Sequence, residues 1–234
     1  GTLFGVVFPV TMVRQANAVQ GEVLAVVSDT SKANVDQQLG NVPIYFEENR
    51  GQHNPRVKYV TRGGGTEMFL TATEAVYVVR EQTDSAKDRK FEERTSTPDP
   101  KAVAVYMRLA GANANANFEP SQRLNHQTNY FKGTESNWRT NIANFGSVTA
   151  ENIYDGVDIV WQGKNAGGVQ YDFVLEPNAD PSQIEWEIEG AKGVSLDADG
   201  SLVIQTDAGE MRQSKPFTYQ ESNGLRSEVA SHFV

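Results

Sequence analysis

Apolar and polar residues alternate through most of the second half of the chain, and a repeat of two predicts strands rather than helices. Val157, Ile159 and Trp161 share one face of such a strand, as do Val169, Tyr171, Phe173 and Leu175. Ile184, Trp186 and Ile188 alternate with Glu185, Glu187 and Glu189, so that segment has one dry face and one acidic face. Earlier in the chain, Val42 to Phe46, Arg56 to Thr61, Glu67 to Leu70 and Ala75 to Arg80 read as short strands. Val103, Val105, Met107 and Leu109 mark another, half buried. Asp199-Gly200 and Asn223-Gly224 suit type I′ hairpin turns, in which both central residues take positive φ; Asp207-Ala208-Gly209 closes a third hairpin. No long amphipathic helix appears. The expected fold is all-β: an antiparallel β-sandwich-like domain with many hairpins and little helix.

Changes of texture divide the chain into residues 1–18, a polar linker at 19–40, and a β domain at 41–234. A charged stretch from Glu81 to Lys101 reads as an exposed loop, and two β subdomains would divide near it. The Asn/Ala alternation from Gly111 to Asn117 reads as low-complexity loop. Gly1 to Val13 is apolar, and Ala16-Asn17-Ala18 resembles a signal-peptide cleavage site before Val19. The competing reading retains this segment as a strand or docking element built on Leu3, Val6, Phe8 and Val10. Pro9 breaks it as a helix, and it is too short to span a bilayer. Ser231 to Val234 stops within an alternating pattern, so the natural protein is expected to continue.

Composition narrows the partners. The chain has 234 residues, 38% of them hydrophobic and 22% charged, which is globular rather than disordered. A net charge of -9 argues against a nucleic-acid partner, because duplex binding needs clustered Lys and Arg. With no cysteine there is no disulfide scaffold, thiolate zinc site or cysteine nucleophile.

One run of motifs carries a resemblance. Val42-Pro-Ile-Tyr-Phe-Glu-Glu-Asn-Arg-Gly-Gln52 is followed by Val57-Lys58-Tyr59-Val60, Arg62-Gly63-Gly64-Gly65 and Phe69 to Val76. Further on come Asn129 to Gly133, Trp138 to Asn141, Tyr154 to Val160, Tyr171 to Leu175, Asp197 to Gly200 and Pro216 to Gln220. In this order they resemble the N-terminal β domain of bacterial secreted SBBP (β-propeller repeat) proteins, from about Leu39 onward. The resemblance implies a domain behind a signal peptide and ahead of propeller repeats or immunoglobulin-like modules. It implies no activity, and this chain departs from the pattern in containing no propeller repeat.

Few residues offer chemistry. In the Glu47-to-Gln52 loop, Arg50 presents a planar fork to a carboxylate or sugar acid; the plainer reading is a turn satisfied by its own polar groups. Asp197-x-Asp199-Gly200 resembles the start of a calcium loop, but Ala208 stands where the twelfth-position carboxylate belongs. Asp207 and Glu210 would be left to complete an irregular oxygen cage, and the hairpin-turn reading is favoured for these residues, as it is for Asp155 and Asp158. Calcium is thus the one cofactor left open. His53, His126 and His232 stand in no catalytic motif. Trp161 and Trp186 fall on apolar strand phases, whereas Trp138 lies in a polar segment and is the better candidate for an exposed sugar platform.

The expected protein is therefore a structural and interaction domain, secreted or on the outer surface of a bacterium, without enzymatic activity. Its partners would be other subunits or surface proteins, with self-assembly by strand donation if residues 1–18 are retained. A carbohydrate-binding module, with glycans as partners, is the alternative, and a glycoside hydrolase ranks third.

Overall fold

The computed structural model describes residues 3–11, 44–62, 67–81, 101–164, 168–222 and 225–234, the first of these by strand placement and register. The stretch at 12–43, with the expected cleavage site and linker, the Gly63-Gly64-Gly65 segment, the charged stretch at 82–100 and the Asn223-Gly224 pair lie outside the described residues.

Among the described residues there is no α-helix, only single 3-10 turns at Glu135–Asn137 and Pro181–Gln183. The first strands are β1 (Leu3–Thr11), β2 (Tyr45–Glu48), β3 (Tyr59–Arg62), β4 (Glu67–Leu70), β5 (Glu74–Arg80) and β6 (Ala102–Leu109). Two long strands follow, β7 (Asn117–Tyr130) and β8 (Arg139–Tyr154), then β9 (Val157–Gly163) and β10 (Val169–Leu175). The last are β11 (Trp186–Glu189), β12 (Gly193–Leu196), β13 (Leu202–Thr206), β14 (Gly209–Gln213), β15 (Phe217–Ser222) and β16 (Leu225–Val229). The protein is all-β, as its period-two pattern requires.

The strands form one antiparallel network with the path β11-β6-β5-β4-β3-β2-β8-β9-β10-β1-β14-β13-β12. β7 adds to β8, and the β15–β16 pair adds to β1. β5 and β6, on either side of the charged stretch, pair with each other from Glu74↔Arg108 to Arg80↔Ala102. β8 is the spine of the sheet. Its one edge carries β7; the other pairs first with β2 (Phe46↔Phe145) and then with β9 (Ser147↔Gln162 onward). The ends of β2 and β9 therefore meet, and Gly163 permits it: a Cβ there would stand 1.8 Å from the Ile44 carbonyl oxygen.

The sheet curls until its two halves face each other. Trp186 of β11, at one end of the path, sets its ring 5.3 Å from Tyr171, 6.2 Å from Phe173 and 6.4 Å from Trp161. The core between the halves includes the apolar phases expected of β6, β9 and β10: Val105 and Met107, Ile159 and Trp161, Tyr171 and Phe173 are all buried. β11 keeps its two-sided character, with Glu187 and Glu189 reaching Arg108 of β6 at 3.5 and 3.4 Å.

Three expectations change in detail. The strand expected at Arg56–Thr61 begins only at Tyr59, because Asn54 to Val57 is a turn closed by the Val57 amide donating to the Asn54 carbonyl at 3.0 Å. The Asp197–Gly200 turn is not type I′. Gly200 alone takes positive φ (83°), and its amide donates to the Asp197 carbonyl at 2.9 Å. That is a turn followed by one left-handed glycine, a three-residue hairpin geometry that leaves Asp199 unstrained. The Gly111–Asn117 tract is a loop up to Ala116, yet Ala112 and Ala116 pack against the core.

Candidate functional site

β1 fills a slot in the middle of the sheet. On one side, Phe4 to Val10 pair with Leu175 to Val169 of β10, seven Cα partners in unbroken register. On the other side, Leu3 to Val7 pair with Glu221 to Phe217 of β15, and Val10 and Thr11 with Gln213 and Arg212 of β14. Phe8 and Pro9 face neither strand on that side, where residues 214–216 connect β14 to β15. A proline has no amide hydrogen to donate, so the gap in the ladder is where it is tolerated. Phe4, Val6, Phe8 and Val10 stand opposite Leu175, Phe173, Tyr171 and Val169, the buried residues of β10. Along the sheet path, β1 alone joins β10 to β14 and β15. Without it three strand edges would be open to pairing.

A second arrangement lies on the outward phase of β2. Glu47 is fully buried, opposite buried Asn144 of β8. Its Oε1 accepts from the Tyr130 hydroxyl at 2.7 Å and from Gln52 Nε2 at 3.0 Å, and its Oε2 lies 3.7 Å from Arg62 Nε. Arg62 Nη2 in turn donates to the Tyr130 oxygen at 2.7 Å and stands 3.3 Å from His53 Nε2. An arginine can only donate, so His53 holds that nitrogen unprotonated. Burial and the nearby Arg62 lower the His53 pKa in agreement, and burial and Glu47 raise that of Tyr130. Register shifts in the β7–β8 pairing, between Arg123/Gln127 and Thr128/Tyr130, swing the end of β7 into this position. Asn144 completes the group, with Nδ2 donating to Thr128 Oγ1 at 3.1 Å. A buried carboxylate with this many partners is a node tying β2, β3, β7 and the following loop together.

The residues singled out in the sequence fall elsewhere. Arg50 pairs with Glu48 at 3.0 Å, and its carbonyl accepts from Arg139 Nε at 3.1 Å. Around it, Asn49 Oδ1 accepts from the amides of Gly51 and His53, both at 3.1 Å, so the loop is knit by its own polar groups. Trp138 is 39% exposed and meets Phe131, 63% exposed, edge-on at 5.0 Å at the tip of the β7–β8 hairpin. Asp197 is bonded by Arg212 Nη2, and Asp199 lies 3.6 Å from Arg212 Nη1. A guanidinium therefore stands beside the two carboxylates proposed for calcium, and it lowers the Asp197 pKa. Leu3, Val6, Phe8 and Val10 all lie in β1. Arg62 and Tyr130 carry no such reading, and Glu47 enters only as the first residue of the Glu47-to-Gln52 loop, because nothing in one sequence shows which of the two glutamates in YFEEN is buried. The one available signal was the period-two phase that places Glu47 opposite to Phe46.

Among the described residues no helix is long and apolar enough to cross a membrane. No curated protein and no solved structure matches the chain. One family model does, described as Domain of unknown function (DUF7948), over residues 46–234. The match leaves β1 outside it and takes in every other strand except the first residue of β2. Since it spans most of the chain, the protein belongs to the DUF7948 family.

Proposed function

We propose that this is an extracellular or cell-surface structural and interaction domain of a bacterium that assembles by strand donation, the segment Leu3–Thr11 of one copy filling the slot of the next. The observation that carries the reading is the position of β1. It is hydrogen-bonded on both sides in the centre of the sheet, yet it lies outside the residues that define the family. Residues 12–43 separate it from the first residue of the body, and at about 3.3 Å per residue that stretch reaches roughly 100 Å when extended. Insertion into a neighbour is therefore sterically open, and head-to-tail insertion generates a polymer. The secreted setting rests on the resemblance to SBBP N-terminal domains, and strand donation takes residues 1–18 as retained in the mature chain. In this reading the domain works by surface complementarity, with no bond chemistry.

The chain has no cysteine, which gives a clean background for crosslinking. Val7 stands opposite Asp172. When V7C and D172C single variants are mixed and oxidised, strand donation predicts a disulfide-linked heterodimer and, by light scattering, larger oligomers of the native chain. A bond that forms only within the V7C/D172C double variant, with no dimer from the mixture, would place β1 in its own chain and end the assembly reading.

The exposed Phe131–Trp138 pair supports a second reading, a glycan platform. Retention on a glycan array that is lost on W138A would favour it, and no retention by the native chain would dismiss it.

A further inference from the structure

The two strands that close the slot on its far side carry buried polar atoms with nothing to bond. Gln213 of β14 is 1% exposed and Thr218 of β15 is 8% exposed. Among the described residues, Gln213 Oε1 and Thr218 Oγ1 have no hydrogen-bond partner. The amide nitrogen of Gln213 is already committed, donating to the Tyr171 hydroxyl. The other buried atoms outside geometric hydrogen-bond reach, Glu47 Oε2 (ion-paired with Arg62), Tyr77 Oη and Trp186 Nε1, lie on strands that do not border β1.

Register places both orphans against β1. Thr218 stands opposite Val6, and Gln213 stands opposite Val10. Across the same two positions, β10 supplies Phe173 and Val169. Each position therefore has an apolar neighbour on one side and an unsatisfied polar neighbour on the other. Directly opposed residues in an antiparallel pair sit with Cβ atoms about 4.5–5.5 Å apart, close enough for a side-chain hydrogen bond. Valine has no polar atom to give. Threonine has valine's shape, with a methyl for the β10 side and a hydroxyl that both donates and accepts for the other. A buried polar group left unpaired costs its desolvation in full, so the slot penalises an all-apolar strand at these two points.

We propose that the slot takes a second, heterotypic occupant: a strand of another protein with hydroxyl residues at the positions of Val6 and Val10 and apolar residues at those of Phe4 and Phe8. Such a strand displaces Leu3–Thr11 and would anchor or start an assembly on a different protein. The proposal rests on β1 occupying the slot, as the assembly reading does, whichever copy supplies it.

The test uses the full chain, with V6T/V10T as a stand-in for the foreign strand and V7T as the control. If the orphans accept the new hydroxyls, V6T/V10T raises Tm by about 4 °C. The gain disappears in a T218V/Q213L background, and V7T gives none. If V6T/V10T lowers Tm or leaves it unmoved while the V7C/D172C disulfide forms, β1 is in the slot and the hydroxyl preference is wrong. If neither the disulfide forms, within one chain or between chains, nor the melting changes, β1 is not in the slot and both readings fall.

Discussion

Tyr130 and Glu47, 83 residues apart in the chain, meet through a 2.7 Å hydrogen bond in which the hydroxyl donates to the buried carboxylate. The same hydroxyl accepts from Arg62, so one oxygen bridges an anion and a cation that otherwise approach only to 3.7 Å. Removing it leaves Glu47 Oε1 with Gln52 alone and Arg62 Nη2 with His53 alone. Y130F should lower the unfolding free energy by about 1–3 kcal/mol, the range for stranding a buried charged group's partner. Urea denaturation measures it. An unchanged midpoint would mean that the bridge is replaced by water.

His53 supplies a pH dependence in the acid direction. Burial first, and then Arg62, hold its pKa below the ordinary 6.5; Lys132 acts in the same sense, while Glu47 and Glu67 oppose. The folded protein therefore binds this proton less readily than the unfolded chain. The contribution is fully present above the unfolded value and is lost as pH falls through the folded one. Between about pH 7 and pH 5 the native chain should lose more stability than H53Q, as measured by urea midpoints. Parallel curves for the two would show that His53 does not titrate differently on folding.

At alkaline pH the sign reverses. Burial, with Glu48 and Glu119 adding, pushes the Tyr59 hydroxyl up to about 12, and burial raises Tyr77 and Tyr171 as well. Unfolded tyrosines ionise near 10, so stability is complete below about pH 10 and falls as pH rises toward the folded values. Tyrosinate absorbance of the folded protein should rise in two stages, exposed tyrosines first and a later, cooperative step coinciding with unfolding. A single stage near pH 10 would contradict the burial of these three.

Gly163 should not tolerate a side chain. Its Cβ would stand 1.8 Å from a backbone oxygen, which can yield only by parting β2 from β9. G163A should cost at least about 1–3 kcal/mol, as overpacking does. G193A, whose Cβ would meet its nearest neighbour at 3.9 Å, serves as the neutral control. Thermal melts of the two decide it: equal values would mean that the strand ends separate without penalty.

Local pattern by itself determined the all-β class, the buried phases of β6, β9 and β10, and the half-buried phase of β11. Alternation of side chains across a strand is a property of neighbouring residues, so it is written in the order of the sequence. It also marked Trp138 as exposed and Trp161 as core. The two longest strands left no such trace. β7 has no fully buried residue, its odd positions being exposed and most of its even ones half-buried, and its polar sequence alternates too little to be read. The partners of Glu47 come from β2, β3, β7 and the loop at Gln52, brought together by the curl of the sheet and by shifts in the β7–β8 register. The place of Leu3–Thr11 is likewise a tertiary fact. Its composition allowed a leader or a strand, and its pairing as β1 depends on the edges of β10, β14 and β15, which no local pattern records. Hydrophobic phase is local and legible, whereas the pairing of distant edges depends on which ones the rest of the fold leaves unfilled.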